Sequence, residues 1–155
     1  IGLRKTSTVG LPPCGLKEKN MPFYKLFYHF VWATKRREPL IMPEFEAQLY
    51  SAIAAKVKEM NGIVHAIGGM EEHVHLATSV PPKLSLATFI GEVKGNSSHF
   101  VNHVIVPEYK LYWQDEYGVL SFAEKSLPSI VRYIKNQKKH HSDGSIRDNL
   151  ERFSP

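Results

Sequence analysis

Residues 23–34 (FYKLFYHFVWAT) limit the fold more than any other part of the chain. The run is dense in aromatic and β-branched residues and has no helical period, so it reads as a long, largely buried strand. Lys35-Arg36-Arg37-Glu38-Pro39 ends it with charge and a proline. Such a strand needs partners, and three more strand signals follow. Residues 63–68 and 73–80 flank Gly68-Gly69-Met70-Glu71-Glu72, which predicts a hairpin with a longer turn, closed by Pro81-Pro82. Residues 119–123 supply the fourth strand. Two helical periods lie between them: Phe45, Leu49, Ile53, Val57 and Met60 after Pro43, then Leu86, Phe89, Ile90 and Val93 within residues 84–101. Ser126 is a candidate N-cap for a last helix through His140, with Pro128 tolerated in its first turn. The order β-α-β-β-α-β-α predicts an α+β, ferredoxin-like (RRM-like) antiparallel sheet with helices mainly on one face and a C-terminal helix.

A chain of 155 residues suits one compact domain. With 43% apolar and 23% charged residues, neither a disordered chain nor a fibre is expected. Residues 1–20 are rich in Gly, Pro, Lys and Thr and carry no continuous apolar core of a signal peptide. They are read as an N-terminal extension outside a single domain over residues 21–155, with Met21 as a natural start. The net charge is +5, but Arg4, Lys5, Lys17 and Lys19 against Glu18 put +3 of it in that extension and leave +2 for the rest. Basicity alone is therefore a weak pointer to nucleic acid. The lone Cys14 excludes an internal disulfide and fits a reducing compartment. No run approaches the ~18 apolar residues of a membrane span.

Two short patterns carry possible chemistry. In His73-Val74-His75 on a strand, both imidazoles point to one face, while Val74 and Leu76 point to the other. Such a pair can grip a divalent metal. It is weak evidence by itself, because eight histidines in this length give about 0.4 such pairs by chance. In the last helix, Tyr133 and Gln137 stand four residues apart and so share a face. Lys125, Arg132, Lys135, Lys138 and Lys139 surround them, a surface suited to a phosphodiester. Together the patterns supply two imidazoles, an amide and a phenol. Neutral ligands leave a dication's charge directed at an anionic substrate. A phenol of pKa near 10 is a poor nucleophile unless its proton is removed or nearby charge stabilises phenolate. Metal and cations are the expected aids, and the product would be a phosphotyrosine with a free 3′-hydroxyl.

Residues 23–141 resemble the single-tyrosine HUH transposases of the IS200-like group, including their REP-associated relatives. The resemblance rests on YHFVWATKRREPL, GGMEEHVHLATSVPP, GEVKGNSSHFV, WQDEYGVLSF and SIVRYIKNQKKHH in this order. It implies a ferredoxin-like core and cleavage and rejoining of single-stranded, hairpin-bearing DNA through a covalent 5′-phosphotyrosine. Tyr133 would be the nucleophile on a C-terminal catalytic helix, with His73, His75 and Gln137 holding Mg2+ or Mn2+. The insertion-sequence branch implies a homodimer in which one subunit's tyrosine serves the other's histidines; the REP-associated branch implies monomers. A bacterial or archaeal cytoplasm, at the nucleoid, follows from the same resemblance. Arg36, Arg37, Lys94 and Lys138 are the candidate DNA contacts: the first two form a basic turn, Lys94 is Gly-flanked on a polar helix, and Lys138 follows Gln137.

Two other readings stay open. One is a domesticated DNA-binding module that keeps the fold without the chemistry. The other is a hydrolytic metallo-phosphodiesterase using His73, His75 and either His99 or His103. His29 and His65 fall in strand patterns and read as core or sheet-face histidines, and His140-His141 as a continuation of the basic surface. Glu71 and Glu72 read as turn surface, with a second role as a partner for an imidazole. Tyr112 and Trp113 read as a core edge or as a base-stacking platform.

Overall fold

The computed structural model describes residues 22–154, so the extension over residues 1–20 lies outside the described residues. Strand β1 (Phe27–Ala33) is central, and helix α1 (Pro43–Glu59) follows it. The hairpin β2 (Ile63–Met70) and β3 (His73–Ser79) leads into α2 (Leu86–Phe100), which continues as a π-helical turn over Val101–Ile105. Then come β4 (Gly118–Phe122), α3 (Leu127–Lys135), α4 (Gln137–Asp143) and the one-turn α5 (Asp148–Glu151). The sheet order is β2-β3-β1-β4 with every pair antiparallel, the topology expected for a ferredoxin-like α+β sandwich. No helix among the described residues is long and apolar enough to cross a membrane.

Strand alternation splits the sheet into two unlike faces. Phe30 and Trp32 of β1 and Val74 and Leu76 of β3 face the main core, with Phe45, Leu49, Ile53 and Val57 of α1 and Phe89, Ile90 and Val93 of α2. On the opposite face Ala66 and Ala77 meet Ile130, Tyr133, Ile134 and Leu150 from the C-terminal helices. His29, His73 and His75 share that second face with Ala77 by alternation, and all three are buried.

The structure corrects three element boundaries. The first strand starts at Phe27 rather than Phe23, whose side chain is exposed. Its partner β3 ends at Ser79 before Pro81-Pro82, so among the described residues no strand pairs with 22–26. The hairpin turn is shorter than predicted: Gly68, Gly69 and Met70 stay in β2, and only Glu71-Glu72 connect the strands. Gly68 is needed there because a Cβ would lie 2.1 Å from the backbone oxygen of Ile134, so α3 lies directly on the strand backbone. The predicted last helix is two helices. It breaks at Asn136 (φ −105°, ψ 24°), a poor helix former that caps α3 and starts α4 through a 3.0 Å bond from the His140 N–H to its carbonyl.

Candidate active site

The site grows from β3. Alternation sends His73 and His75 to the second face, where α3 brings Tyr133 and the α3–α4 junction brings Gln137. Tyr133 and Gln137 are nearly inaccessible, at 2% and 1% exposure. Gln137 Oε1 lies 3.3 Å from His73 Nε2, so this strand and this junction meet. The helix break leaves the four-residue relation between Tyr133 and Gln137 in place: Gln137 Nε2 still donates to the Tyr133 carbonyl at 3.4 Å.

Glu151, on α5, completes the cluster. Its Oε2 is 3.2 Å from His75 Nε2 and 3.4 Å from His73 Nε2, and its Oε1 accepts a short hydrogen bond from the Tyr133 hydroxyl. One carboxylate thus bridges the phenol and both imidazoles. Burial pushes the Glu151 carboxyl up, but hydrogen bonds and charge from His75, Tyr133 and His73 outweigh it and hold it at about 2. Tyr133 is pushed up to about 12, by burial first and by its bond to Glu151 second. Burial also lowers His75, and it lowers His29 to about 3 with help from the nearby His75.

Each imidazole of the pair has a partner behind it. His73 Nδ1 bonds Glu72 Oε1 at 2.9 Å, and that bond holds the Glu72 carboxyl below its ordinary value. His75 Nδ1 is 2.8 Å from His29 Nε2. Glu71 takes no part in this: it is exposed, and its backbone carbonyl accepts from the Ile41 N–H.

His73, His75 and Glu151 each offer a ligand atom, all within 4.8 Å of one another. With Gln137 Oε1 beside His73, the cluster presents nitrogen and oxygen donors that fit a divalent cation.

The cations around Tyr133 are not placed as expected. Arg132, Lys135, Lys138 and Lys139 are exposed on the outer faces of α3 and α4, because Ile130, Tyr133 and Ile134 turn inward. Among the described residues the cation that approaches the phenol is Arg147: its guanidinium lies 5.3 Å from the ring centre, and its backbone N–H donates to the hydroxyl at 3.0 Å. The helix break also folds His140 and His141 back instead of leaving them on the basic surface. His140 stacks on the Tyr133 ring at 4.7 Å, and His141 Nε2 lies 3.1 Å from Gln137 Oε1.

The candidate DNA contacts divide. Arg36 and Arg37 are exposed and both adopt positive φ (58° and 53°), which projects them from a turn where Thr34 bonds the Glu38 and Glu72 carbonyls. Arg37 also reaches Glu72 at 3.6 Å and caps the Phe153 ring at 4.9 Å, which puts the basic turn beside the histidines. Lys138 is exposed and pairs with Glu46 at 2.6 Å. Lys94 differs, because its ammonium is committed to the carbonyls of Gln114, Asp115 and Glu116 and staples a loop. Trp113 is a core edge: it packs against Trp32 and donates to the Lys94 carbonyl at 3.0 Å, while Tyr112 is half exposed. His99 and His103 stack on each other at 4.2 Å, exposed on α2 and the π-turn behind the other sheet face. They do not join His73 and His75, so the hydrolase built on them has no common site.

Two partners had no sequence signal. Glu151 belongs to no motif and lies beyond a turn at Gly144. His29 reads in the sequence as an ordinary strand histidine; the β1–β3 register pairs it with Ala77, which sets it diagonally across from His75, within hydrogen-bond reach.

Comparison with known proteins gives a consistent answer. The family model described as "Transposase IS200 like" matches residues 22–137. The ISDra2 transposase TnpA of Deinococcus radiodurans is 30% identical over 132 residues, spanning 81% of this chain and 93% of that protein. The transposase for insertion sequence element IS200 of Salmonella typhimurium is 26% identical over 122 residues, spanning 76% and 80%. Among solved structures, a transposase from D. radiodurans R1 superposes with a TM-score of 0.58 at 28% identity, over 75% of this chain and 93% of that one. A REP-associated tyrosine transposase bound to a REP hairpin shares the fold, with a TM-score of 0.57 at 18% identity over 81% and 76%. Glu151, His141 and Arg147 lie beyond the matched segment.

Proposed function

We propose, from the premise that this chain belongs to the IS200-like transposase family, that it cleaves and rejoins single-stranded, hairpin-bearing DNA through a 5′-phosphotyrosine at Tyr133. The observation that carries this reading is the bridging carboxylate of Glu151. One of its oxygens meets the Tyr133 hydroxyl and the other meets His73 and His75. A scissile phosphate presented there would meet the nucleophile with one oxygen and the imidazole pair with another.

The resting arrangement is inactive for a physical reason. A carboxylate near 2 cannot take a proton from a phenol near 12, so the pair is a locked hydrogen bond and not an activated nucleophile. Glu151 therefore yields its place to the substrate. His73, His75 and Gln137 would hold Mg2+ or Mn2+, which would polarise a phosphoryl oxygen. The Tyr133 oxygen gives its proton to solvent and bonds to phosphorus, and the bond from phosphorus to the 3′ oxygen breaks. That oxygen leaves as a hydroxyl, taking up a proton. The phosphotyrosine keeps the bond energy, so a 3′-hydroxyl attacking it reseals a strand.

Arg36 and Arg37 are assigned to the DNA backbone beside the site and Lys138 to its α4 flank, whereas Lys94 is assigned to its loop. Hairpin DNA is carried over from the REP-bound relative of the same fold. The Tyr133 and His75 rings lie 6.0 Å apart within one chain, which supports a reading in which one protomer can supply both the nucleophile and the histidines. The test is a denaturing gel of labelled single-stranded hairpin DNA incubated with the protein and Mg2+. A protein–DNA band that resists denaturant and disappears with chelator is expected. Metal-dependent cleavage with no protein-linked product would overturn the proposal.

A further inference from the structure

We propose that His29 is a positioning residue for the cation site, acting by setting which ring nitrogen of His75 carries the proton. The inference rests on the reading of His73, His75 and Gln137 as cation ligands. His29 is buried on β1, with Nε2 2.8 Å from Nδ1 of His75. The ring centres are 5.0 Å apart and the planes differ by 21°. Two rings joined edge to edge by one N–H···N bond have this geometry, so the contact is a directed hydrogen bond and not a face-to-face stack.

A neutral imidazole has one N–H and one lone pair, which leaves two arrangements for the bond. In the first, His29 donates to His75 Nδ1. The His75 proton is then on Nε2, where it meets Glu151 Oε2 at 3.2 Å, as in the resting site. In the second, His75 donates from Nδ1 to His29 Nε2, and the Nε2 lone pair of His75 faces the site. Cation binding through Nε2 requires the second. A partner that both donates and accepts at one position serves the two states, and His29 is such a partner.

His73 is held differently. Its Nδ1 meets the acceptor-only carboxylate of Glu72 at 2.9 Å, which fixes a proton on Nδ1 and points Nε2 at the site. The two strand histidines therefore differ at Nδ1: His73 has an acceptor-only partner there, whereas His75 has one that can donate or accept, so its proton can move when the Glu151 carboxylate leaves. A space-filling role accounts poorly for His29. Burying an imidazole is costly unless it is hydrogen-bonded, and the side-chain bond described for His29 goes to His75.

The test compares the full chain with His29→Gln and His29→Leu, measuring Mn2+ affinity by electron paramagnetic resonance without DNA, alongside thermal stability. A glutamine amide reaches the Nε2 position and both donates and accepts, whereas leucine fills the space without either. The expected result is near-wild-type Mn2+ affinity for the glutamine variant and a loss of about 10–100-fold for leucine, the usual range for removing such a partner. Wild-type affinity in the leucine variant would overturn the proposal. His75→Ala separates the two levels. If it weakens Mn2+ binding while His29→Leu does not, only the role of His29 fails; if it leaves binding unchanged, the cation reading fails with it. Should the leucine variant not fold, 15N NMR of the wild-type imidazoles decides. Mg2+ addition should move the His75 proton from Nε2 to Nδ1, and an unchanged His75 tautomer would contradict the account.

Discussion

Gly68→Ala tests whether the second sheet face positions the nucleophile. The new Cβ would sit 2.1 Å from the Ile134 backbone oxygen, where real contacts need at least 3.0 Å. The obstacle is backbone, so no side chain can swing aside, and α3 must lift by about 1 Å. Tyr133 is the residue next to Ile134, while Gly68 pairs directly with His75 across the hairpin. The lift therefore opens the gap between the phenol and the histidines almost in full. Overpacking of this kind costs about 1–3 kcal/mol of stability. A misplacement near 1 Å costs about 100-fold in rate. Single-turnover formation of the DNA adduct measures the second quantity and thermal melting the first. Gly95→Ala is the control: nothing lies within 4 Å of its added Cβ on α2, so adduct formation should be unchanged and stability should rise by about 0.5–1 kcal/mol. Adduct formation by Gly68→Ala at the wild-type rate would refute the idea that this contact sets the site.

Glu151→Ala should speed adduct formation, because the carboxylate no longer holds the phosphate position; slower chemistry with weaker Mn2+ binding would make Glu151 a ligand instead. Burial keeps His29 and His75 neutral in the fold, at about 3 for His29 against 6.5 for the free group. The His29 contribution to metal-free stability is thus complete above about pH 6.5 and lost as pH falls toward 3, at up to about 1.4 kcal/mol per pH unit, and His75 acts in the same direction; urea melts that stay flat between pH 7 and 4.5 would contradict it. Arg37→Ala should reduce the salt slope of hairpin binding by about one. Lys94→Met should leave that slope alone and lower the melting temperature, because its ammonium serves loop carbonyls.

The sheet and its two faces were legible because periodicity carries them. The alternation Val74/Leu76 against His73/His75 placed the imidazoles opposite the main core before any coordinates. Helical spacing likewise grouped Tyr133 with Gln137. Periodicity says nothing of where a chain turns back. The break at Asn136 and the turn at Gly144 return His140, His141 and Glu151 to the site, and only tertiary packing reveals them. The expectation that lysines would activate the phenol failed for a related reason. A basic helix read as a string has cations all around it, but its buried stripe turned Tyr133 inward and the cations outward. Lys94 was misleading in the same way, since formal charge did not reveal that three carbonyls already occupy it.

The central claim is that Tyr133 becomes covalently bound to DNA at the position Glu151 holds at rest. Mass spectrometry of the protein–DNA adduct, formed with hairpin DNA and Mg2+ and digested to peptides, tests it most directly, with Tyr133→Phe run in parallel. The account predicts a 5′-phosphate linked to Tyr133 in the wild type and no adduct in the phenylalanine variant, which keeps its fold and hairpin affinity. A phosphate on another residue, or an adduct that persists in Tyr133→Phe, would contradict it.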